Sequence, residues 1–208
     1  CCGQPAFNSG YRREARTAAK RFIEIFEAAQ TIVCPSGSCV TMVRYHYPEL
    51  FKHDAHWLQR ARRVAGKTYE LTEFLVDELG VDDLGAHYDG KVTYHDSCHL
   101  LRNLRVKDQP RRLLRKVSGA EFVEMVDSDR CCGFGGSFSV KYADISAAMV
   151  EDKVKNIEGS GADTVVGCDM GCLMNIQGML SRRGSAIKVM HIAQLLAGRS
   201  TAKGVPEP

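Results

Sequence analysis

The triplet Cys-Cys-Gly occurs twice, at Cys1-Cys2-Gly3 and Cys131-Cys132-Gly133, and each copy is followed some thirty residues later by a second, closely spaced cysteine pair. There are 31 residues between Cys2 and Cys34 and 35 between Cys132 and Cys168, with Cys39 and Cys172 closing the two sets. Adjacent thiols add little to a core, because each packs as a small apolar group, whereas two thiolates one residue apart can ligate one iron or bridge two. A glycine directly after the pair lets the chain turn tightly and leaves its amide free to point at sulfur. Any fold of this chain has to bring distant cysteines together, and to do so twice.

The text between the cysteines repeats as well. Cys1 to Tyr11 reads CCGQPAFNSGY and Cys131 to Tyr142 reads CCGFGGSFSVKY. Each stretch leads into apolar residues near the helical period, which predicts helices over 13–29 and 143–157. Short β-branched strands follow, Thr31-Ile32-Val33 and Thr164-Val165-Val166, each ending at a cysteine. A third correspondence aligns Thr68-Tyr69-Glu70-Leu71-Thr72-Glu73-Phe74-Leu75 with Val189-Met190-His191-Ile192-Ala193-Gln194-Leu195-Leu196. The expected fold is α/β, two pseudo-symmetric halves, each a small parallel sheet flanked by helices, with metal sites at the carboxyl ends of the strands. The halves are assigned to 1–85 and 86–200, and 201–208 reads as a frayed tail.

The second copy has a front section that the first lacks. It runs from Lys91-Val92-Thr93-Tyr94-His95-Asp96-Ser97-Cys98 through a basic stretch to the strand-like Phe122-Val123-Glu124-Met125-Val126. Equal repeat lengths would put roughly 40 further residues, with one cysteine, ahead of Cys1. An amino-terminal truncation is the expectation.

The formal charge is +3, too mild to point to a nucleic acid partner. Arg102, Arg105, Lys107, Arg111, Arg112, Arg115 and Lys116 cluster, and read as a solvated helix face. No apolar run approaches the ~20 residues that span a bilayer. Together these features predict a cytoplasmic protein, with peripheral membrane association left open. Met170 and Met174 read as core, His191 as a packing residue, and His46, His53 and His56 as surface or half-buried positions.

Nine cysteines admit disulfides, zinc or iron-sulfur ligation. A disulfide framework suits short secreted chains with even thiol counts. Zinc prefers four ligands from compact knuckles, which adjacent cysteines match poorly, although zinc in one of the two sites stays open. Iron-sulfur ligation suits the count best, since Cys98, Cys131, Cys132, Cys168 and Cys172 give five thiols where a cubane needs four. Gly133-Phe134-Gly135-Gly136-Ser137 reads either as an anion cradle before a helix or as glycine that allows close approach to a cluster.

These residues resemble the cysteine-rich CCG-domain family, in which a Cys, a Cys-Cys-Gly and a close Cys pair recur at intervals of thirty-odd residues. One of the subunits of heterodisulfide reductase and the iron-sulfur subunit of glycolate oxidase are members. His95-Asp96-Ser97-Cys98-His99, Cys131-Cys132-Gly133-Phe134-Gly135-Gly136, Pro35-Ser36-Gly37-Ser38-Cys39 and Gly167-Cys168-Asp169-Met170-Gly171-Cys172-Leu173-Met174 are most similar to its lactate-utilization branch. The likeness covers nearly the whole chain.

The resemblance implies an iron-sulfur subunit of a three-protein bacterial system that oxidises L-lactate, a 2-hydroxy acid, to pyruvate. Its partners would be a ferredoxin-like iron-sulfur subunit and a third small subunit. It also implies one or two [4Fe-4S] clusters, of a noncubane type in the wider family. Cys98, Cys131, Cys132, Cys168 and Cys172 would ligate the second, and Cys1, Cys2, Cys34 and Cys39 the first, with Gly3, Gly133, Gly135 and Gly136 lining them. Four residues separate the last pair in the first copy and three in the second, where heterodisulfide reductase has two. A zinc-binding or scaffold subunit and a thiol-disulfide redox subunit are the alternatives. His95, Asp96 and His99 flank Cys98 as candidate catalytic groups: a histidine there could accept the hydroxyl proton of a 2-hydroxy acid, or it could orient the loop and hydrogen-bond cluster sulfur, the reading the residues favour.

Overall fold

The computed structural model describes residues 1–198, so the tail assigned to 201–208 lies outside the described residues. Among the described residues six strands form two parallel sheets. β1 (Ile32–Cys34) pairs with β2 (Thr68–Glu70), while β3 (His87–Tyr94), β4 (Ser118–Phe122), β5 (Thr164–Gly167) and β6 (Lys188–His191) lie in the order β4-β3-β5-β6. Both sheets are flanked by helices, as an α/β chain of two related halves requires.

The repeat is visible in the elements themselves. Helix Arg12–Phe26 buries Ala15, Ala19 and Ile23, and its counterpart Ala143–Gly159 buries Val150, Val154 and Ile157, one apolar stripe in each. β2 and β6 correspond, and the next helix of each opens with the same reciprocal cap. Glu70 accepts from the N–H of Glu73 while Glu73 accepts from the N–H of Glu70. His191 and Gln194 form the second box.

Four expectations need correction. The strand expected over 122–126 lies at Ser118–Phe122; the apolar run that suggested it continues into a loop, where Val126 is 74% exposed. Met170 and Met174 are exposed, because Cys172, Leu173, Ile176 and Leu180 form the buried stripe of helix Met170–Arg182 and the two methionines fall on its other face. Arg111 is buried rather than solvated, with its guanidinium between Asp96 and Glu124. His191 is more than packing: its Nδ1 accepts from the Ala193 N–H, which leaves Nε2 to donate to the Cys168 and Pro35 carbonyls at 2.8 and 3.0 Å.

The last of these contacts joins the halves. They meet through the loops beyond β1, β3 and β5, where a Cβ on Gly37 would stand 2.7 Å from that of Leu100. Chain segments with π-helical turns follow two of these loops, Met42–His46 after Cys39 and His99–Leu104 after Cys98. Such turns concentrate at functional sites. No helix among the described residues is long and apolar enough to cross a membrane.

Candidate metal centres

The cysteines outside the two triplets are delivered by strand ends and helix starts. Cys34 is the last residue of β1, and Ser36 then caps helix Gly37–Thr41 by accepting from the Cys39 N–H, which fixes Cys39 in the first turn. Cys168 directly follows β5, and Cys172 lies in the first turn of helix Met170–Arg182. β3 runs straight into His95, Asp96, Ser97 and Cys98. The Cys-Cys-Gly triplets arrive from the loops that precede the two long repeat helices.

Both triplet glycines take positive φ, +86° at Gly3 and +79° at Gly133. Their amides point back at sulfur, Gly3 N–H to Cys1 Sγ at 3.5 Å and Gly133 N–H to Cys131 Sγ at 3.4 Å. A side chain at either would also strike the following helix, since a Cβ on Gly133 would lie 2.6 Å from the Ser146 carbonyl oxygen and one on Gly3 3.0 Å from Ala18 Cβ. Close helix approach and amide direction both demand glycine here. Gly135 and Gly136 continue the turn at φ +51° and +64°, ahead of a five-residue helix, Ser137–Lys141.

All nine cysteines are free thiols, and eight of them gather in two nests. In the first, Cys2 Sγ lies 3.4 Å from Cys39 Sγ, and Cys34 also faces Cys39. Thiol donors from Cys2 and Cys34 hold Cys39 far down as a thiolate and push their own pKa values up. Cys1 stands at the exposed rim. In the second nest Cys98 faces Cys131, Cys131 faces Cys132 and Cys132 faces Cys172. The thiols of Cys132 and Cys98 stabilise the Cys131 thiolate, and that of Cys132 brings Cys172 down to about 6. Low thiol pKa values suit metal ligation, because the thiolate is the ligand.

Cys168 sits between the nests. Its side chain is fully buried in the central core with Val40, Tyr94 and Leu100, meets the backbone of Gly37 from the other half, and lies 3.7 Å from Asp169 Oδ2.

The histidine-aspartate group at Cys98 divides into three. His95 is 1% exposed, neither ring nitrogen has a hydrogen-bond partner, and its ring lies with Cys132 and Cys172 in a set whose ligand atoms are all within 4.8 Å of one another. Asp96 is tied to Arg111 and Ser128. Arg111 grips both its oxygens at 2.9 and 2.7 Å, and the Ser128 hydroxyl donates to it at 2.7 Å. Burial pushes this carboxyl up, but Arg111 and Ser128 outweigh burial and hold it below the usual range. His99 is half-buried with Nδ1 3.6 Å from Cys98 Sγ, and burial lowers its pKa.

A polar network that the sequence does not announce ties these loops together. Asp169 accepts from Ser36 Oγ at 2.6 Å, from Ser38 Oγ at 2.7 Å and from the Ser38 N–H at 3.2 Å, and Ser97 Oγ also donates to it. One carboxylate thus joins the loops after β1, β3 and β5. Lys153 Nζ donates to the Asp127 and Ser128 carbonyls just before Cys131. Ser-x-Ser and a lone Asp beside cysteines are visible in the chain, but nothing in a single sequence says that they meet.

Thiols and an imidazole in partly buried nests, with amide N–H groups aimed at sulfur, are a donor set for iron-sulfur clusters or for a soft to borderline transition metal.

The chain matches the model of the cysteine-rich domain CCG over residues 1–44 and 92–177. It is 54% identical to lactate utilization protein A of Lysinibacillus sphaericus (strain C3-41) over 94% of this chain and 86% of that one. The corresponding protein of Anoxybacillus flavithermus (strain DSM 21510 / WK1) is 55% identical, over 96% and 83% of the two chains. That of Bacillus subtilis (strain 168) is 52% identical over the same shares.

Proposed function

Because the chain belongs to the cysteine-rich CCG-domain family, in its lactate utilization protein A branch, we propose that it is an iron-sulfur subunit that carries electrons during oxidation of L-lactate to pyruvate. The observation that supports this most is the pair of thiol nests at neighbouring strand ends, with the Cys2 and Cys39 sulfurs 3.4 Å apart in one and those of Cys132 and Cys172 within 4.8 Å of each other in the other. A bound iron-sulfur cluster supplies a one-electron carrier whose potential follows hydrogen bonds to sulfur and burial.

Cys1, Cys2, Cys34 and Cys39 hold the first centre. Cys98, Cys131, Cys132 and Cys172 hold the second, with Cys168 behind them. Gly3 and Gly133 donate toward Cys1 and Cys131 sulfur, and Gly135 and Gly136 carry the loop round the second nest. Asp96 fixes the β3 loop through Arg111, and His99 directs its ring at Cys98 sulfur; in this reading neither accepts a proton from lactate. A ferredoxin-like iron-sulfur subunit and a third small subunit complete the system, in the cytoplasm or at the membrane surface. The mixed set of His95, Cys132 and Cys172 also favours a second reading, zinc in the second nest.

Iron, zinc and acid-labile sulfide content of anaerobically purified protein, with EPR of both redox states, tests the proposal. About four or eight irons with matching sulfide, and an EPR signal reduced by lactate when the partner subunits are present, are expected. Cys132→Ala removes the second centre and leaves the first. Zinc without sulfide in the wild-type protein would overturn the electron-transfer reading in favour of a structural subunit.

A further inference from the structure

We propose that His95 is a metal ligand of the second centre through a ring nitrogen, so that this centre has a mixed sulfur and nitrogen donor set while the first is held by sulfur. The inference rests on the metal-binding reading given above and names a ligand that cysteine spacing cannot supply.

Three observations meet at this residue. Its backbone is fixed, because the His95 N–H donates to the Val166 carbonyl at 2.8 Å and extends the pairing of β3 with β5. Its side chain is 1% exposed and both ring nitrogens lack partners, one of which must be a donor and the other an acceptor in the neutral ring. Leaving a buried polar group unsatisfied costs stability, and an aliphatic or phenyl side chain would fill the same space without that cost. No oxygen or amide hydrogen-bonds its ring nitrogens; the neighbouring ligand atoms are the sulfurs of Cys132 and Cys172, of which Cys172 faces the ring.

The other histidines of this region differ. His191 is also buried, but both its nitrogens are satisfied, one by the Ala193 N–H and one by two carbonyls. His99 has Cys98 sulfur beside Nδ1 but is only half-buried. His95 alone of the three combines complete enclosure, unpartnered nitrogens and two thiols within ligand distance of one metal ion. Metal-bound imidazole commonly fixes its other nitrogen on an oxygen acceptor. Neither ring nitrogen of His95 makes such a bond, so its orientation is set by the rigid strand end instead.

The test uses the full chain, labelled with 15N-histidine and loaded anaerobically with iron and sulfide, and compared by pulsed EPR with unlabelled protein. A strong nitrogen hyperfine coupling that changes with the isotope and is lost in His95→Gln, while the first centre's signal is kept, is the expected result. Thermal unfolding of the apo forms checks that the variant folds. His95→Cys, which restores a donor of another element, should rebind the metal without the nitrogen coupling. Iron and sulfide bound with no strong nitrogen coupling, or with a coupling that survives in His95→Gln, would overturn the proposal and leave the iron-sulfur reading standing. If no iron-sulfur centre forms, cobalt(II) is the probe: thiolate-to-cobalt absorption with a shifted His95 15N resonance would retain the ligand while the iron-sulfur reading fell. Cobalt(II) bound without that shift, or no metal bound at all, would overturn the ligand.

Discussion

Asp169, in the loop just beyond β5, accepts from both the hydroxyl and the backbone N–H of Ser38, at 2.7 and 3.2 Å, so that a carboxylate of one half caps the helix carrying Cys39 in the other. The same carboxylate takes the hydroxyls of Ser36 and Ser97. Both nests are therefore built against one buried anion, which is 4% exposed.

Replacing Asp169 with Asn should disturb both centres. One of the two acceptor oxygens would become an amide nitrogen, which cannot accept from the Ser38 N–H and forces the hydroxyls on that side to reorient, and a lost hydrogen bond to a charged group costs about 1.5 to 3 kcal/mol. Urea unfolding of the apo variant should show a loss of that size, and metal content should fall in both nests. An unchanged unfolding midpoint together with full metal content would refute the joint role.

Arg111 is the positive counterpart that holds Asp96, the residue after His95. Its bidentate pair with Asp96 is buried, 6% and 1% exposed in the two side chains, and Glu124 completes the set. Removing one partner of a buried pair costs about 3 to 5 kcal/mol because the other charge is stranded. Arg111→Ala should therefore destabilise the chain strongly, and Arg111→Lys should rescue it poorly because an ammonium cannot reproduce the planar fork. Asp96 has its pKa lowered on folding, so the pair's contribution is present above the ordinary carboxylate range and is lost as pH falls through the folded value. A wild-type acid transition no steeper than that of Asp96→Asn would contradict this.

The repeat tells most of the fold and much of the site, because identical triplets, helix stripes and β-branched strand ends are local signals. Helix Arg12–Phe26 and strand Thr164–Gly167 lie within a few residues of their expected places. β4 escapes sequence reasoning because Ser118-Gly119-Ala120 has little strand character, while the apolar Val123, Met125 and Val126 beside it do. Exposure of Met170 and Met174 is within reach of helical periodicity once period is weighed above residue type. Asp169 with Ser38, and Arg111 with Asp96, cannot be read: their partners are 131 and 15 residues apart, and no period or spacing links them. The orphaned nitrogens of His95 are likewise a property of what the fold leaves around them.

Lys153 offers a way to loosen one nest selectively. Its Nζ is buried and donates to the Asp127 and Ser128 carbonyls at 2.8 and 3.1 Å, and Asp127 is itself held at φ 51°. Lys153→Met keeps the volume and strands both carbonyls, at about 1 to 3 kcal/mol for each unsatisfied group. Hydrogen exchange should rise at 127–132, and the second centre should lose metal faster than the first. Equal loss from both would show that this lysine stabilises the whole fold rather than the loop before Cys131.

Glu70 supplies a pH dependence of opposite sign to Asp96. It occupies the cap position that His191 takes in the other half, with Oε2 accepting from the Thr72 N–H at 2.7 Å and Oε1 buried without a partner. Burial raises its pKa from 4.5 to about 7. The folded state then holds a proton that the unfolded chain releases between these values, so this contribution to stability declines as pH rises from 4.5 to about 7. At 1.36 kcal/mol per unit the whole change is about 3 kcal/mol. Glu70→Gln keeps an oxygen for the Thr72 N–H and removes the titration. Apo wild type and variant, compared by urea unfolding, should move apart by about 2 to 3 kcal/mol between pH 5 and pH 8, with the variant gaining at the higher pH. The same difference at both pH values would mean that Glu70 does not change its proton affinity on folding.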